Sequence, residues 1–540
     1  MKYHLRSIQK EVMRKIYLFL SVLTLTATVL AQDPVIDWQN TIGGNSADQF
    51  NELVATPDGG YLMGGYSFSD ASGDKTEDAI GEEDYWVVKV DALGQVQWDN
   101  TIGGSDEDQL FSVANALDGG YVLAGGSRSN SSADKSEDAI GLRDYWIVKL
   151  DVNGVIEWDN TIGGDDHDFA TSIEPTADGG YIVSGRSESN ISGDKTEDSL
   201  GTDDYWVLKL DTNGDIVWQN TIGGNSTDYV YAMDITDDGG VVLAGYSQSG
   251  SNGDKTEPRI GRSDYWIVKL DDNGVIEWDN TIGGTDDEGV WDIKQTSDGS
   301  YIVAGWSDSD ASGDKDEDAI GSRDYWILKL DTAGVIIWQN TIGGESLEEW
   351  SNIALSDDGG LVIAGYSSSN VSGDKTDNSY NDTRDYWVVK LNSAGLVEWD
   401  DTIGGDGQEF LWDMIGTDDG GYVLGGHSSS GISGDKTEDN IGSSDYWIVK
   451  LGSTLGLDDR LFTESVSVYP NPTKDVLNIS LETGIIEKIT IYNVLGSELK
   501  NIFNKDSVDK PIDVSDLQSG VYFVQVTSEG KTATKKFVKQ

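Results

Sequence analysis

One seven-residue phrase, Trp-x-Asn-Thr-Ile-Gly-Gly, recurs almost unchanged along most of this chain, and that periodicity limits the fold more than any other feature. Its tryptophans are Trp38, Trp98, Trp158, Trp218, Trp278, Trp338 and Trp399, spaced by 60 residues five times and by 61 once. A second phrase, Asp-Tyr-Trp followed by two aliphatic residues and Lys, places tryptophans at 86, 146, 206, 266, 326, 387 and 447. The extra residue falls between Asp374 and Asp385, in a polar stretch, which marks a loop.

Within one unit the pattern is that of short strands. In the third copy, Ser172 to Thr176 runs into Ala177-Asp178-Gly179-Gly180, a hairpin signal, and Tyr181 to Ser184 resumes. After a long polar loop, Tyr205 to Leu210 reaches the turn Asp211-Thr212-Asn213-Gly214, and Ile216 to Ile222 completes the set. Four strands per repeat, the third apolar on both faces, describe a small sheet covered by neighbours, as in a propeller blade. The repeat region enters with only a fourth strand, Pro34 to Gly43, and leaves after Leu451 with only the first three. These fragments add up to one blade, so the expected fold is all-β: a seven-bladed β-propeller of four-stranded blades, residues 32–451, whose ring is closed by the N-terminal strand. In plan this resembles WD-repeat propellers. An open solenoid would leave two free edges and show atypical end repeats.

Composition agrees with many aromatic strands and glycine turns: 66 Gly, 18 Trp, 23 Tyr and only 7 Pro. The absence of cysteine excludes a disulfide scaffold, a thiolate metal site and a cysteine nucleophile. Residues 1–31 read as a cleaved signal peptide, with Lys2, Arg6, Lys10, Arg14 and Lys15 ahead of the apolar run Ile16–Leu30. Residues 32–460 hold 23 of the 37 basic and 85 of the 96 acidic groups, a net charge of −62. Such a body repels nucleic acid and anionic membranes, and favours cations, basic proteins or neutral sugars. The expected mature protein is a monomer.

Propeller geometry sends the tight Asp-Gly-Gly and Asp-x-x-Gly turns to one face, and the blade links with the long loops to the other. Three groups of residues on that loop face are candidates. Asp48, Asp108, Asp168, Asp228, Glu288, Glu348 and Glu409 each follow an Ile-Gly-Gly by four residues, and are expected to ring the mouth of the central channel. Unit charges about 10 Å apart in water repel by only about 0.4 kcal/mol, so the ring stands without a ligand; the alternative is that each carboxylate caps nearby backbone N–H groups. The loops repeat Gly-Asp-Lys-Thr-Glu-Asp, and Asp74, Glu77, Asp78, Asp194, Glu197 and Asp198 offer hard oxygen ligands for calcium. The constant lysine argues instead for an ion pair that holds the loop.

Positions that differ between copies are not needed to make a blade. At the end of the second strand the copies read Tyr66, Gly126, Arg186, Tyr246, Trp306, Tyr366 and His427. Near the start of the first they read Asn51, Phe111, Thr171, Tyr231, Trp291, Ser351 and Trp412. The aromatic members, Tyr66, Phe111, Tyr231, Tyr246, Trp291, Trp306, Tyr366 and Trp412, are expected to bind a glycan or a protein by stacking beside carboxylates. The alternative is drift after duplication. Only His4, His167 and His427 exist, with no serine-nucleophile elbow, phosphate loop or histidine metal cluster, so no catalytic residue is assigned. A carboxylate pair for glycoside hydrolysis stays open. The turn Leu-Asp-x-x-Gly-x-x-x-Trp resembles blades of quinoprotein dehydrogenases and outer-membrane assembly propellers, but the former have a different blade count and a cysteine pair absent here.

A linker, residues 452–460, separates the repeats from residues 461–540, where Tyr469-Pro470-Asn471-Pro472, Val476-Leu477-Asn478-Ile479, Ile489 to Gly496, Leu517 to Val526 and Lys535 to Lys539 alternate strands and turns. Patterning predicts a small Ig-like β-sandwich. These motifs, in this order, resemble the type A sorting domain of the type IX secretion system. The resemblance implies export across the outer membrane through that machinery, to the cell surface or medium. The overall expectation is a surface binding propeller serving adhesion or recognition, with a polysaccharide-active enzyme or a purely structural surface protein as alternatives.

Overall fold

The computed structural model describes residues 34–452 except 357, and residues 466–540 except 482–485, 487, 494–497, 504–508, 516 and 529–530. The signal-peptide reading of 1–31 and most of the linker lie outside the described residues. The chain divides into two compact units, one over 33–455 and one containing 456–540.

The larger unit is built of seven four-stranded antiparallel sheets in a propeller-type repeat. In the first, β2 (Asp48–Ala55), β3 (Tyr61–Ser67), β4 (Asp84–Val90) and β5 (Val96–Ile102) follow in spatial order. The seventh takes its outer strand from the far end of the sequence: β1 (Ile36–Ile42) pairs with Asp445–Leu451, so that Trp38 faces Lys450 and Ile42 faces Tyr446. First strands begin about four residues earlier than patterning suggests. In the third sheet the strand is Asp168–Pro175, because a bulge between Ala170 and Ser172 lets pairing continue to Asp168 opposite Ser187.

Sheets meet through a repeated aromatic joint. The tyrosine of each Asp-Tyr-Trp packs on the tryptophan of the next sheet, and all but Tyr325, which donates to Tyr366 O, donate their hydroxyl to that tryptophan's backbone carbonyl: Tyr85 to Trp146 O at 3.0 Å, Tyr145 to Trp206 O at 3.0 Å. The same joint links the last sheet to the first, with Tyr446 donating to Trp86 O at 3.1 Å and the rings 4.8 Å apart. All seven of these tryptophans are fully buried, and an aromatic pair adds about 0.5–1.5 kcal/mol beyond its area.

In the smaller unit, Val466–Tyr469, Val476–Leu481 and Asp509–Asp513 form one sheet. Glu498–Phe503, Lys488–Asn493, Gly520–Ser528 and Lys531–Lys539 form the other. Leu477, Ile479, Ile489, Ile491, Val524, Val526 and Phe537 make a shared core.

Candidate functional site: the central cavity

The first strands of all seven sheets line one cavity of about 1650 Å³. Each such strand has a free edge, whose N–H groups must find acceptors. Side chains of the preceding sheet supply them. Glu52 Oε2 accepts from Val113 N (2.6 Å), Ser112 Oγ from Ile173 N (3.0 Å), Glu174 Oε2 from Ile235 N (3.2 Å) and Asp234 Oδ2 from Gln295 N (2.6 Å). Asp292 Oδ2 accepts from Ile353 N (2.8 Å) and Asp413 Oδ2 from Leu53 N (2.9 Å). Between the sixth and seventh sheets Asn352 Nδ2 donates to Trp412 O at 2.8 Å. A staple therefore crosses every sheet junction.

Five of these staples are carboxylates, and they face one lysine. Lys294 Nζ lies 3.7 Å from Asp292 Oδ1. Asp292 first, then Glu174, Asp234 and Asp413, hold its ammonium above the ordinary lysine range, against burial. Burial pushes Glu52 up to about 8, with Asp413 adding repulsion. Burial likewise lifts Glu174 to about 7 and Asp413 to about 6. Among the described residues, no ion pair reaches Glu52, Glu174, Asp234 or Asp413.

Next to this polar layer runs an aromatic wall. Phe111, Tyr231, Trp291 and Trp412, expected on the loop face, line this cavity, and Phe169, Tyr229, Trp350 and Arg186 join them. Tyr231 and Trp291 lie 4.6 Å apart, Trp291 and Trp350 stack at 3.7 Å, and Trp350 meets Trp412 edge-on at 4.0 Å. The indole N–H groups of Trp291 and Trp412 are buried without an acceptor. Arg186 lies over Tyr229 at 4.4 Å and over Phe169 at 5.3 Å.

Tyr66, Tyr246, Trp306 and Tyr366 are not in the lining. They pack behind it: Tyr246 against Tyr229 and Tyr231, Tyr66 near Phe111, Tyr366 against Phe410, and Trp306 beneath the Arg323 guanidinium at 3.5 Å. His427 is buried there too, near Phe410 and Trp412, and its imidazole is depressed to about 4.

The seven carboxylates expected around the channel mouth lie elsewhere. Asp48, Asp108, Asp168, Asp228, Glu288, Glu348 and Glu409 have no exposed surface and do not line the cavity. Each accepts the N–H of the second glycine of its own Ile-Gly-Gly, from Gly44 N to Asp48 at 2.6 Å through to Gly405 N to Glu409 at 3.0 Å. Paired serines, such as Ser67 and Ser69 on Asp48, complete the pocket, and burial raises Asp108 and Asp168 to about 6.

The loop carboxylates are also occupied by backbone. Asp74 accepts from Gly43 N, Glu77 from Thr101 N and Asp78 from Ala71 N. Asp194, Glu197 and Asp198 accept from Gly163 N, Thr221 N and Ile191 N. The loop lysine turns inward: Lys195 is buried over Trp206, donates to Thr221 Oγ1, and is lowered to about 8 by burial. Among the described residues, no group of three or more His, Cys, Asp or Glu side chains is placed to hold a metal ion.

Comparison with known proteins bears on the C-terminal unit most strongly. Residues 467–540 match the secretion system C-terminal sorting domain family. That domain marks the protein for export by the type IX secretion system to the cell surface or extracellular space. The chain is 23% identical over 360 residues to the regulatory protein FlaEY of Caulobacter vibrioides, spanning 60% of this chain and 36% of FlaEY. It is 26% identical over 284 residues to the ulvan lyase NLR42 of Nonlabens ulvanivorans, 51% of this chain and 43% of that protein. The chain thus spans less than half the length of either. Among solved structures, Sqt1 from Chaetomium thermophilum aligns over 78% of this chain and 99% of its own, at 11% identity and a TM-score of 0.40. At that score the fold rests on the sheets themselves.

Proposed function

We propose that the exported protein is a seven-bladed propeller closed by β1, followed by an Ig-like sorting domain, and that the propeller is a glycan-binding module serving adhesion or recognition at the cell surface. The repeated tyrosine–tryptophan joint, which links the seventh sheet to the first as it links every other pair, supports the closed ring. One observation carries the binding reading: a cavity of about 1650 Å³ has aromatic rings, Phe111, Tyr231, Trp291 and Trp412 among them, beside hydrogen-bonding carboxylates. Sugar rings stack on such faces while their hydroxyls are bonded by the polar layer. The blade itself does not need these residues, since other copies carry Asn51 or Thr171 at the same position. Binding of the purified protein to a glycan array, with calcium and with chelator, tests the reading. Binding to a defined sugar class that falls at least tenfold on Trp412→Ala supports it. Absence of binding in both conditions turns the search to a protein partner or a purely structural role.

A second reading, a polysaccharide-active enzyme, draws on the likeness to an ulvan lyase and on Glu52, which burial holds as a proton-bearing acid to about 8. Release of new reducing ends from a bound polysaccharide, lost on Glu52→Gln, would replace the binding role with this one.

A further inference from the structure

We propose that the central cavity takes a sugar bearing a free ammonium group, a 2-amino-2-deoxy residue of an oligosaccharide. This rests on the glycan-binding reading and names the ligand class. Three features of the cavity converge on it.

The first is the imbalance of charge in the polar layer: Glu52 holds its proton at neutral pH, and the other four carboxyl groups, Glu174, Asp234, Asp292 and Asp413, face a single ammonium, that of Lys294. A neutral ligand would leave that excess unrelieved. An anionic ligand would add to it. The chain's own lysine shows what the layer favours, since four carboxylates stabilise its charged form at the cavity wall.

The second is the presence of acceptors that the fold does not use. The staple to the next sheet occupies Glu174 Oε2 and Asp234 Oδ2. The other oxygen of each takes no hydrogen bond from a described residue, yet neither is a sealed, unsatisfied atom, so both open to the cavity. An ammonium donates three hydrogen bonds and meets carboxylates with short, charge-assisted contacts.

The third is the aromatic wall. Ring faces attract cations and stack on the apolar face of a sugar. A simple alkylammonium would satisfy the carboxylates but leave the ring faces uncovered. A neutral sugar would do the reverse.

The test is calorimetric titration of the full chain at 150 mM salt with glucosamine hexamer, N-acetylglucosamine hexamer and cellohexaose. Glucosamine hexamer is expected to bind at least tenfold more tightly than the other two. The body's charge attracts any polycation, so the variant Glu174→Gln with Asp234→Asn is compared with Glu82→Gln with Glu345→Gln, two exposed acids remote from the cavity lining. Both pairs remove two charges, and the amides keep the acceptor that each staple needs. Melting temperatures confirm that both variants fold. The cavity pair is expected to lose the preference for the amine, and the surface pair to keep it. Equal loss in both pairs, or none in either, assigns the binding to the outer surface and overturns the proposal. Binding of all three sugars with equal affinity overturns the ligand class while the glycan-binding reading stands. Binding of none overturns both.

Discussion

Acidic side chains in this protein do different work according to where the fold puts them, and Glu52 is the most telling. Folded, it holds its proton to about 8, whereas its ordinary value is 4.5. Between these values the folded state binds more protons than the unfolded one, so this group's contribution to stability falls as pH rises through that window. Glu52→Gln keeps the acceptor for Val113 N and removes the titration. Relative to the parent, the variant is expected to gain about 1–3 kcal/mol between pH 5 and 8, read from urea denaturation at each pH. A difference that does not change with pH would contradict the assignment. Glu52 does not stand out in the sequence, because its register reads Glu52, Ser112, Ser172, Ala232, Asp292, Asn352 and Asp413, a mixture of small, polar and acidic residues with no aromatic among them. The same variability that exposed the aromatic position is present there. The carboxylate after Ile-Gly-Gly stands out instead for its constancy, and that constancy fits what the fold does with it: it caps the same glycine N–H in every sheet.

At the scale of the strand, the sixth copy breaks the rule that the others obey. In the other sheets the residue two after the capping acid fills an interior slot as Phe50, Leu110, Ala170, Val230, Val290 or Leu411, and the next residue points to the cavity. Trp350 occupies that register in the sixth sheet. It takes φ of 63°, does not pair with Gly365, and sends its ring into the cavity between Trp291 and Trp412, while Ser351 is buried in its place. A left-handed conformation costs a residue other than glycine about 1–3 kcal/mol. Trp350→Val with Ser351→Trp restores the Val290-Trp291 order of the fifth sheet. The double variant is expected to be more stable by about 1 kcal/mol in chemical denaturation, and a loss of that size would show that the turned-out ring is the better packed one. Position-by-position comparison of copies aligns Ser351, not Trp350, with Trp291 and Trp412, because the turned-out register of the sixth copy leaves no mark in the spacing. The strands themselves, their turns and the pairing of β1 with the last repeat were legible, because alternation, Asp-Gly-Gly turns and the two partial repeats are local signals.

At the scale of the whole molecule, the first strands of the repeated sheets share one cavity whose wall is unlike itself from sheet to sheet. Aromatic rings gather on Tyr231, Trp291, Trp350 and Trp412 of successive sheets, whereas the first and third sheets offer Asn51 and Thr171. That asymmetry is what a single site on a repeated scaffold requires. A sequence read copy by copy could find half of the aromatic lining but not the layer behind it, since Tyr66, Tyr246, Trp306 and Tyr366 differ in depth, not in chemistry. The sorting domain was the most specific signal in the chain, and it settles where the protein goes without saying what it holds. The measurement that tests the account most directly is hydroxyl-radical footprinting with mass spectrometry, with and without a saturating sugar ligand from the array. Occupation of the central cavity predicts at least threefold protection of Trp291, Trp350 and Trp412, with the exposed loop residues Ile191, Val371 and Ile432 unchanged. Protection of those loop residues with unaltered tryptophans would place the ligand on the outer face and contradict the central claim.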